Sequence, residues 1–265
     1  MGIDLKGDPF WYAFTIFIQI GAIFAVIVYF REKILAMLMP GRRVVAATPL
    51  EISAAAGIKS TVAEVAPAGN DIRPGPVPAI VIATIPVLVI GYLSQKVVAA
   101  HLENPAVIAA TLGIGGLIMI LIERLTAGSD TDRIEDITLR QAIIIGCAQV
   151  LAAVFPGTSR SAATIMGGLC VGLSRKAAAE FSFFLAIPAM FAACGYSLLK
   201  LITKHRAVLS FENVLLLTAG TLVSYLVAWV VIAAFMNYIR RYTFIPFGIY
   251  RIILSGFVLY FLLKK

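Results

Sequence analysis

The chain has 265 residues, 60% of them hydrophobic and only 14% charged, with a formal net charge of +8. A soluble domain carries roughly 45–50% apolar and about 25% charged residues, so a water-soluble enzyme, a disordered chain and a collagen-like repeat are excluded. The basic residues sit in short connectors between long apolar runs, which is the pattern of a bilayer protein rather than of a nucleic-acid binder.

In chain order, charge-free runs fall at 12–30, 79–95, 104–122, 141–159, 161–174, 181–199 and 213–239. An eighth, 242–263, is interrupted only by Arg251. About 20 apolar residues cross a hydrocarbon core roughly 30 Å thick, and six of these runs are expected to span. The pair 141–159 and 161–174 differs, because it is broken by Phe155-Pro156-Gly157-Thr158-Ser159-Arg160-Ser161. Proline removes a backbone donor, glycine loosens the chain, and the second piece is short and glycine-rich. This pair reads as a re-entrant helical hairpin with its tip within the membrane, where non-helical backbone needs cover from protein or water. The expected fold is an all-α polytopic membrane protein, a single domain over 1–265 with six spans and this hairpin. Pro86 and Pro188 read as kinks.

Basic residues orient the chain. With the N-terminus outside, the inner connectors 31–78, 123–140, 174–176 and 240–241 hold thirteen Lys and Arg and the outer segments seven; Arg160 and Arg251 lie within the membrane. The 31–78 stretch, rich in Pro, Gly and Ala around EISAAAGIKSTVAEV, reads as a flexible excursion with one short helix. The hairpin followed by three spans (139–265) forms a four-part second half. The first half, 1–122, shows three spans and nothing before them. Inverted repeats place broken helices at corresponding positions in each half, so the first repeat is expected to lack a hairpin.

Arg160 is the sharpest chemical signal. An arginine at membrane depth costs roughly 2.5–3.5 kcal/mol on insertion scales and calls for an anionic partner or a function. It stands at the start of the hairpin's second helix, where backbone N–H groups and the positive end of the helix dipole favour anions. Gly157, Thr158, Ser159 and Ser161 surround it, and a guanidinium can grip phosphate oxygens bidentately. A phosphate site over Gly157–Ser161 is the favoured reading; the alternative is a structural arginine paired with Glu180. Glu180 opens an apolar helix and has four open roles: partner of Arg160 or Arg251, ligand of a divalent cation, or interfacial acid. Arg251 reads as part of a structural ion pair or, second, a substrate contact. Gln19 reads as an interhelical hydrogen-bonding amide. His101 and His205 read as solvated loop residues. Cys147, Cys170 and Cys194 lie in apolar stretches without metal or disulfide spacing and read as buried, inert thiols. No metal site is assigned.

At PGTSRSAAT the sequence resembles the undecaprenyl-diphosphatase family, bacterial membrane enzymes associated with bacitracin resistance. The similarity includes FTIFIQIGAIFAVIVYFREKI, RQAIIIGCAQVLAAVFPGTSRSAATI, SRKAAAEFSFFLAIPAM and FIPFGIYRIIL. The resemblance implies six spans with two re-entrant hairpins in an inverted repeat. It implies hydrolysis of a C55 isoprenyl diphosphate to the monophosphate at the outer side of the inner membrane, assisted by a divalent cation (Mg or Ca). By the same resemblance Ser159 and Arg160 are catalytic, binding the diphosphate with Thr158 and Ser161 in support. Gln19, Glu180 and Arg251 are expected around them. The family's other element, of the type E-G-x-x-E-F-x-P-x-S-S-x-G-H, should precede residue 12 and does not occur in the sequence, so Met1 reads as an internal start. Its carboxylate, serine and histidine roles fall on no residue here. The competing reading is a lipid-phosphate carrier or flippase-like transporter, which would need Arg160 but no attacking group.

Overall fold

A computed structural model of the chain describes residues 9–38, 72–97, 104–126, 131–204 and 210–264. Among them the architecture is helical: α1 (Pro9–Tyr29), α2 (Arg31–Leu38), α3 (Pro76–Val97), α4 (Pro105–Leu125), α5 (Leu139–Val154), α6 (Arg160–Cys170), α7 (Arg175–Lys204), α8 (Phe211–Ile239) and α9 (Ile245–Leu263), with one 3-10 turn at Ile134–Asp136. Helices α3, α4, α7, α8 and α9 are each long and apolar enough to cross a membrane. Helices α1 and α2, bent by 71° at their junction, count as a sixth if the pair is one span. The chain is an all-α polytopic membrane protein.

What lies inside and outside follows from a solvent that is itself apolar. Large side chains such as Leu93, Leu215 and Ile253 face outward. Small residues and a set of intramembrane polar groups turn inward, including Thr84, Gln149, Thr164, Glu180, Ser182, Arg251 and Ser255, whereas Gln19 and Thr218 are exposed. Without a hydrophobic drive between helices, close backbone approach and interhelical hydrogen bonds hold the bundle. The α4–α9 seam shows both. An added Cβ at Gly116 would stand 2.7 Å from the Gly248 carbonyl oxygen, so no larger residue fits this crossing. Two turns on, Ser255 Oγ donates to the Ala109 carbonyl at 2.6 Å. In the α1–α8 seam, Ser224 Oγ donates to Ile18 O at 2.6 Å.

The two legs of the hairpin are α5 and α6. At 16 and 11 residues they measure roughly 24 and 16 Å, each short of a crossing. Their open ends are stitched together. Thr138 and Gln141 form a capping box at the start of α5, and the Gln141 side-chain amide then donates to Val171 O at 2.9 Å, beyond the end of α6. Thr131 N–H donates to Gly172 O at 3.1 Å and Ser174 N–H to Thr131 O at 2.9 Å. The connectors assigned above to one side meet at this open end: Leu139 N–H donates to Ile72 O at 2.9 Å, and a single cavity touches Glu123, Asp132, Lys176 and Arg240.

Two expectations change. The 31–78 excursion does not begin as loop: α2 occupies Arg31–Leu38, and α3 already starts at Pro76. The helix expected around EISAAAGIKSTVAEV lies outside the described residues, as do His101 and His205. Of the cysteines only Cys194 is buried, whereas Cys147 and Cys170 are exposed on the outer surface. An apolar run does not reveal which of its faces meets lipid and which meets protein.

Candidate active site

The tip of the hairpin, residues 155–159, is built by opposing demands on its backbone. Helix α5 ends at Phe155, whose N–H still bonds to Leu151 O. Gly157 then takes φ +94°, and a Cβ there would stand 2.5 Å from Ile108 O and 2.6 Å from Thr111 Oγ1. Only glycine fits both the dihedral and the approach to α4. Because Ile108 and Thr111 lie in the first two turns of α4, the tip lies near the face opposite the hairpin's open end.

The tip's carbonyl groups are all taken. Thr111 Oγ1 hydrogen-bonds the Pro156 carbonyl. Arg251 Nη2 donates to Gly157 O and Thr158 O, both at 2.9 Å, and Arg251 Nε donates to Leu112 O at 3.3 Å. Arg251, expected in an ion pair or, second, on substrate, is a clamp joining α9, α4 and the tip through three carbonyl oxygens. Among the described residues it forms no ion pair.

The amide side of the same backbone is left open. Ser159 is the N-cap of α6 at φ +68°, the one non-glycine with positive φ among the described residues. Such a conformation costs of order 1–3 kcal/mol and persists only where the surroundings over-determine it, as the Arg251 and Thr111 clamps do here. Ser159 Oγ accepts from Ala162 N–H at 3.4 Å. Among the described residues, the Arg160 and Ser161 N–H groups make no backbone hydrogen bond. The Ser159 and Ser161 side chains are exposed; Gly157, Thr158 and Arg160 are half-buried. The Arg160 guanidinium has neither an ion pair nor a hydrogen bond within the described structure. Two free amides, two exposed hydroxyls and an unpaired guanidinium therefore share the start of one helix, an arrangement suited to a multiply charged anion.

Glu180 does not reach this group. Its carboxylate is ion-paired to Lys33 of α2, with the acid side chain 6% exposed and the lysine 27%. Gln19, on α1, accepts from Cys194 Sγ of α7 at 3.6 Å, an interhelical contact of the kind expected of it. Neither adjoins the tip through any hydrogen bond. Thr164 of α6 and Ser182 of α7 share a buried hydroxyl–hydroxyl bond of 2.6 Å, fixing the second leg against the bundle.

Sequence reasoning missed three residues. Thr111 gave no signal, because a threonine in an apolar helix ordinarily bonds its own carbonyls. Lys33 sat in what read as a loop. Gln149 was legible as a lone amide in an apolar leg, the same signal that marked Gln19. It is fully buried six residues before Phe155, and its Nε2 has no hydrogen-bond partner among the described residues. No group of three or more His, Cys, Asp or Glu able to hold a metal occurs among the described residues. The tip itself offers only hydroxyls, amides and a guanidinium, so it does not fit a protein-held divalent cation.

Known proteins place this geometry in a family. A family model described as bacitracin resistance protein BacA matches residues 1–257. An undecaprenyl-diphosphatase of Sphingopyxis alaskensis is 39% identical over 253 residues, covering 96% of this chain and 84% of the relative. Those of Wolinella succinogenes and Koribacter versatilis are each 36% identical, covering 98% and 99% of this chain and 86% and 87% of theirs. With a match running almost from end to end, and with the PGTSRS hairpin held as described, the chain belongs to the BacA family of bacitracin resistance proteins.

Proposed function

We propose that this protein hydrolyses undecaprenyl diphosphate to undecaprenyl phosphate and inorganic phosphate, recycling a carrier lipid for cell-wall synthesis. The observation that carries this reading is the unpaired Arg160 guanidinium beside the free Arg160 and Ser161 amides. Family membership and the names of the relatives support the choice of substrate. In the reaction a water oxygen bonds to the terminal phosphorus, the bond from that phosphorus to the bridging oxygen breaks, and the lipid monophosphate leaves with the bond's electron pair. Arg160 grips terminal phosphoryl oxygens and offsets the negative charge that develops on them. The α6 amides and the Ser159 and Ser161 hydroxyls orient the diphosphate, with Thr158 in support. Arg251 holds the loop that presents them.

The location follows the same line. The tip lies at the face opposite the thirteen-cation connectors, which supports a reaction at the outer side of the bacterial inner membrane. The polyprenyl chain lies in the bilayer along the apolar exterior.

The test is release of inorganic phosphate from the C55 diphosphate by purified protein in detergent. Both the 265-residue chain and a version carrying any sequence encoded upstream in frame are assayed. Release that is lost on Arg160→Ala supports the reading. Arg160→Lys is expected to lose most diphosphate affinity, because a point charge replaces a bidentate fork. Undiminished lipid binding by Arg160→Lys sinks the phosphate assignment. Movement of the lipid across vesicles without phosphate release by either version would favour a carrier instead.

A further inference from the structure

One turn of α4 meets the tip of the hairpin and the arginine that holds it. Thr111 and Gly115 stand four residues apart on a single face of that helix. The tip lies against the first and the Arg251 guanidinium against the second.

Thr111 Oγ1 carries one hydrogen and has three carbonyl oxygens in reach: Val107 O and Ile108 O of its own helix, each at 3.0 Å, and Pro156 O of the tip. The first two are served by the N–H ladder of α4. Pro156 O has no other donor among the described residues. A carbonyl left unserved at membrane depth is costly, so the hydroxyl hydrogen goes to the tip.

Gly115 acts by leaving room. A Cβ there would stand 2.8 Å from Arg251 Nη2, and the three atoms nearest to it all belong to the Arg251 guanidinium. That same Nη2 donates to Gly157 O and Thr158 O. The neighbouring Gly116 has a different task. Its added Cβ would meet the Gly248 carbonyl oxygen at 2.7 Å, a backbone atom that moves only if α4 and α9 part. A guanidinium can swing aside and leave the helix crossing intact, but it then gives up its bonds to the tip. Gly116 therefore serves the fold, and Gly115 serves the loop.

We propose that Thr111 and Gly115 are positioning residues for the phosphoryl transfer, acting through the tip. Thr111 holds Pro156, and Gly115 keeps open the volume in which Arg251 grips Gly157 and Thr158. Together they set where the Arg160 and Ser161 amides point. The effect on rate rests on the hydrolytic reading above; the effect on the tip's backbone does not.

The test uses the full chain in detergent with three readouts. These are phosphate release from the C55 diphosphate, the melting curve, and amide hydrogen exchange across residues 156–163, where Thr158 N–H donates to Phe155 O and Ala163 N–H to Ser159 O. Thr111→Val removes the donor and Gly115→Ala adds one methyl group. Each is expected to lower kcat by about tenfold, a part of what full misplacement of a catalytic group costs, with KM changing less. Exchange across 156–163 should quicken in both, while the thermal midpoint stays within about 2 °C. Thr111→Ser, which keeps the donor, should recover most of the loss. Gly116→Ala should lower the midpoint by more than Gly115→Ala does. In an Arg251→Met background there is no guanidinium to displace, so Gly115→Ala should cost nothing further. The proposal is overturned if Gly115→Ala costs the same factor in both backgrounds, or melts as early as Gly116→Ala. It is equally overturned if exchange at the tip is unchanged in both Thr111→Val and Gly115→Ala. Absence of phosphate release from the unaltered chain would refute the hydrolytic reading instead, and the exchange rates would then decide the positioning by themselves.

Discussion

Replacing Arg251 with methionine separates holding the tip from holding the fold. The side chain makes two hydrogen bonds at 2.9 Å and one at 3.3 Å, all to carbonyl oxygens. Polar contacts between membrane helices average about 0.6 kcal/mol and reach roughly 1.7, which puts the three together at about 2–5 kcal/mol. Against this, removing an arginine from membrane depth recovers roughly 2.5–3.5 kcal/mol. The two terms nearly cancel, so the thermal midpoint of Arg251→Met is expected to move by no more than about 5 °C. Function is expected to suffer far more. The Gly157 and Thr158 carbonyls lose their donor, Ser159 is released from its positive φ, and the amides beside Arg160 lose their aim. A displacement of about 1 Å in a catalytic group costs on the order of 100-fold in rate, so kcat/KM for phosphate release should fall by that order, with kcat falling more than KM rises. Arg251→Lys, which reaches fewer of the three carbonyls at once, should lie between. Unchanged kcat/KM in Arg251→Met, measured in detergent beside the melting curve, would refute the clamp.

The remaining sites give sharper, smaller tests. Gly157→Ala meets both a positive φ and the Ile108 carbonyl 2.5 Å from the new Cβ, so it should destabilise the protein by about 1–3 kcal/mol and abolish phosphate release; full activity would mean that the tip relaxes freely. Lys33→Met leaves the Glu180 carboxylate, 6% exposed, without its cation, at a penalty of up to about 3–5 kcal/mol. The double variant Lys33→Met with Glu180→Leu should recover most of that loss in a melting experiment, and additive losses would show that the pair is not coupled. Gln149→Met removes an amide whose Nε2 has no partner among the described residues. If Gln149 serves only packing, stability stays within about 1 kcal/mol because a buried unmet donor is gone, and turnover is unchanged. A fall in turnover without a fall in the melting temperature would assign the amide to the reaction.

The sequence alone determined the class of the molecule and the place of the break between the two legs of its hairpin. Apolar run lengths are set by bilayer thickness, so the spans at 79–95, 104–122, 181–199, 213–239 and 242–263 were legible to within a few residues. The break at Pro156-Gly157 was equally visible, because proline and glycine act on the backbone they occupy, and Arg160 did fall at the first position of α6. What stayed hidden was pairing, which depends on distances between segments far apart in the chain. Glu180 meets Lys33 across 147 residues, and Arg251 grips carbonyls that lie 93, 94 and 139 residues away. A backbone carbonyl has no sequence signature, so an arginine that bonds only to carbonyls reads as one in want of an acid. The same limit made Cys147 and Cys170 read as buried when they are exposed, since lipid-facing and protein-facing positions in a membrane helix are both apolar. Local chemistry marked the Pro156–Ser161 break; only the packing of α4 and α9 against the tip decided which backbone groups are spent on the fold and which are left open.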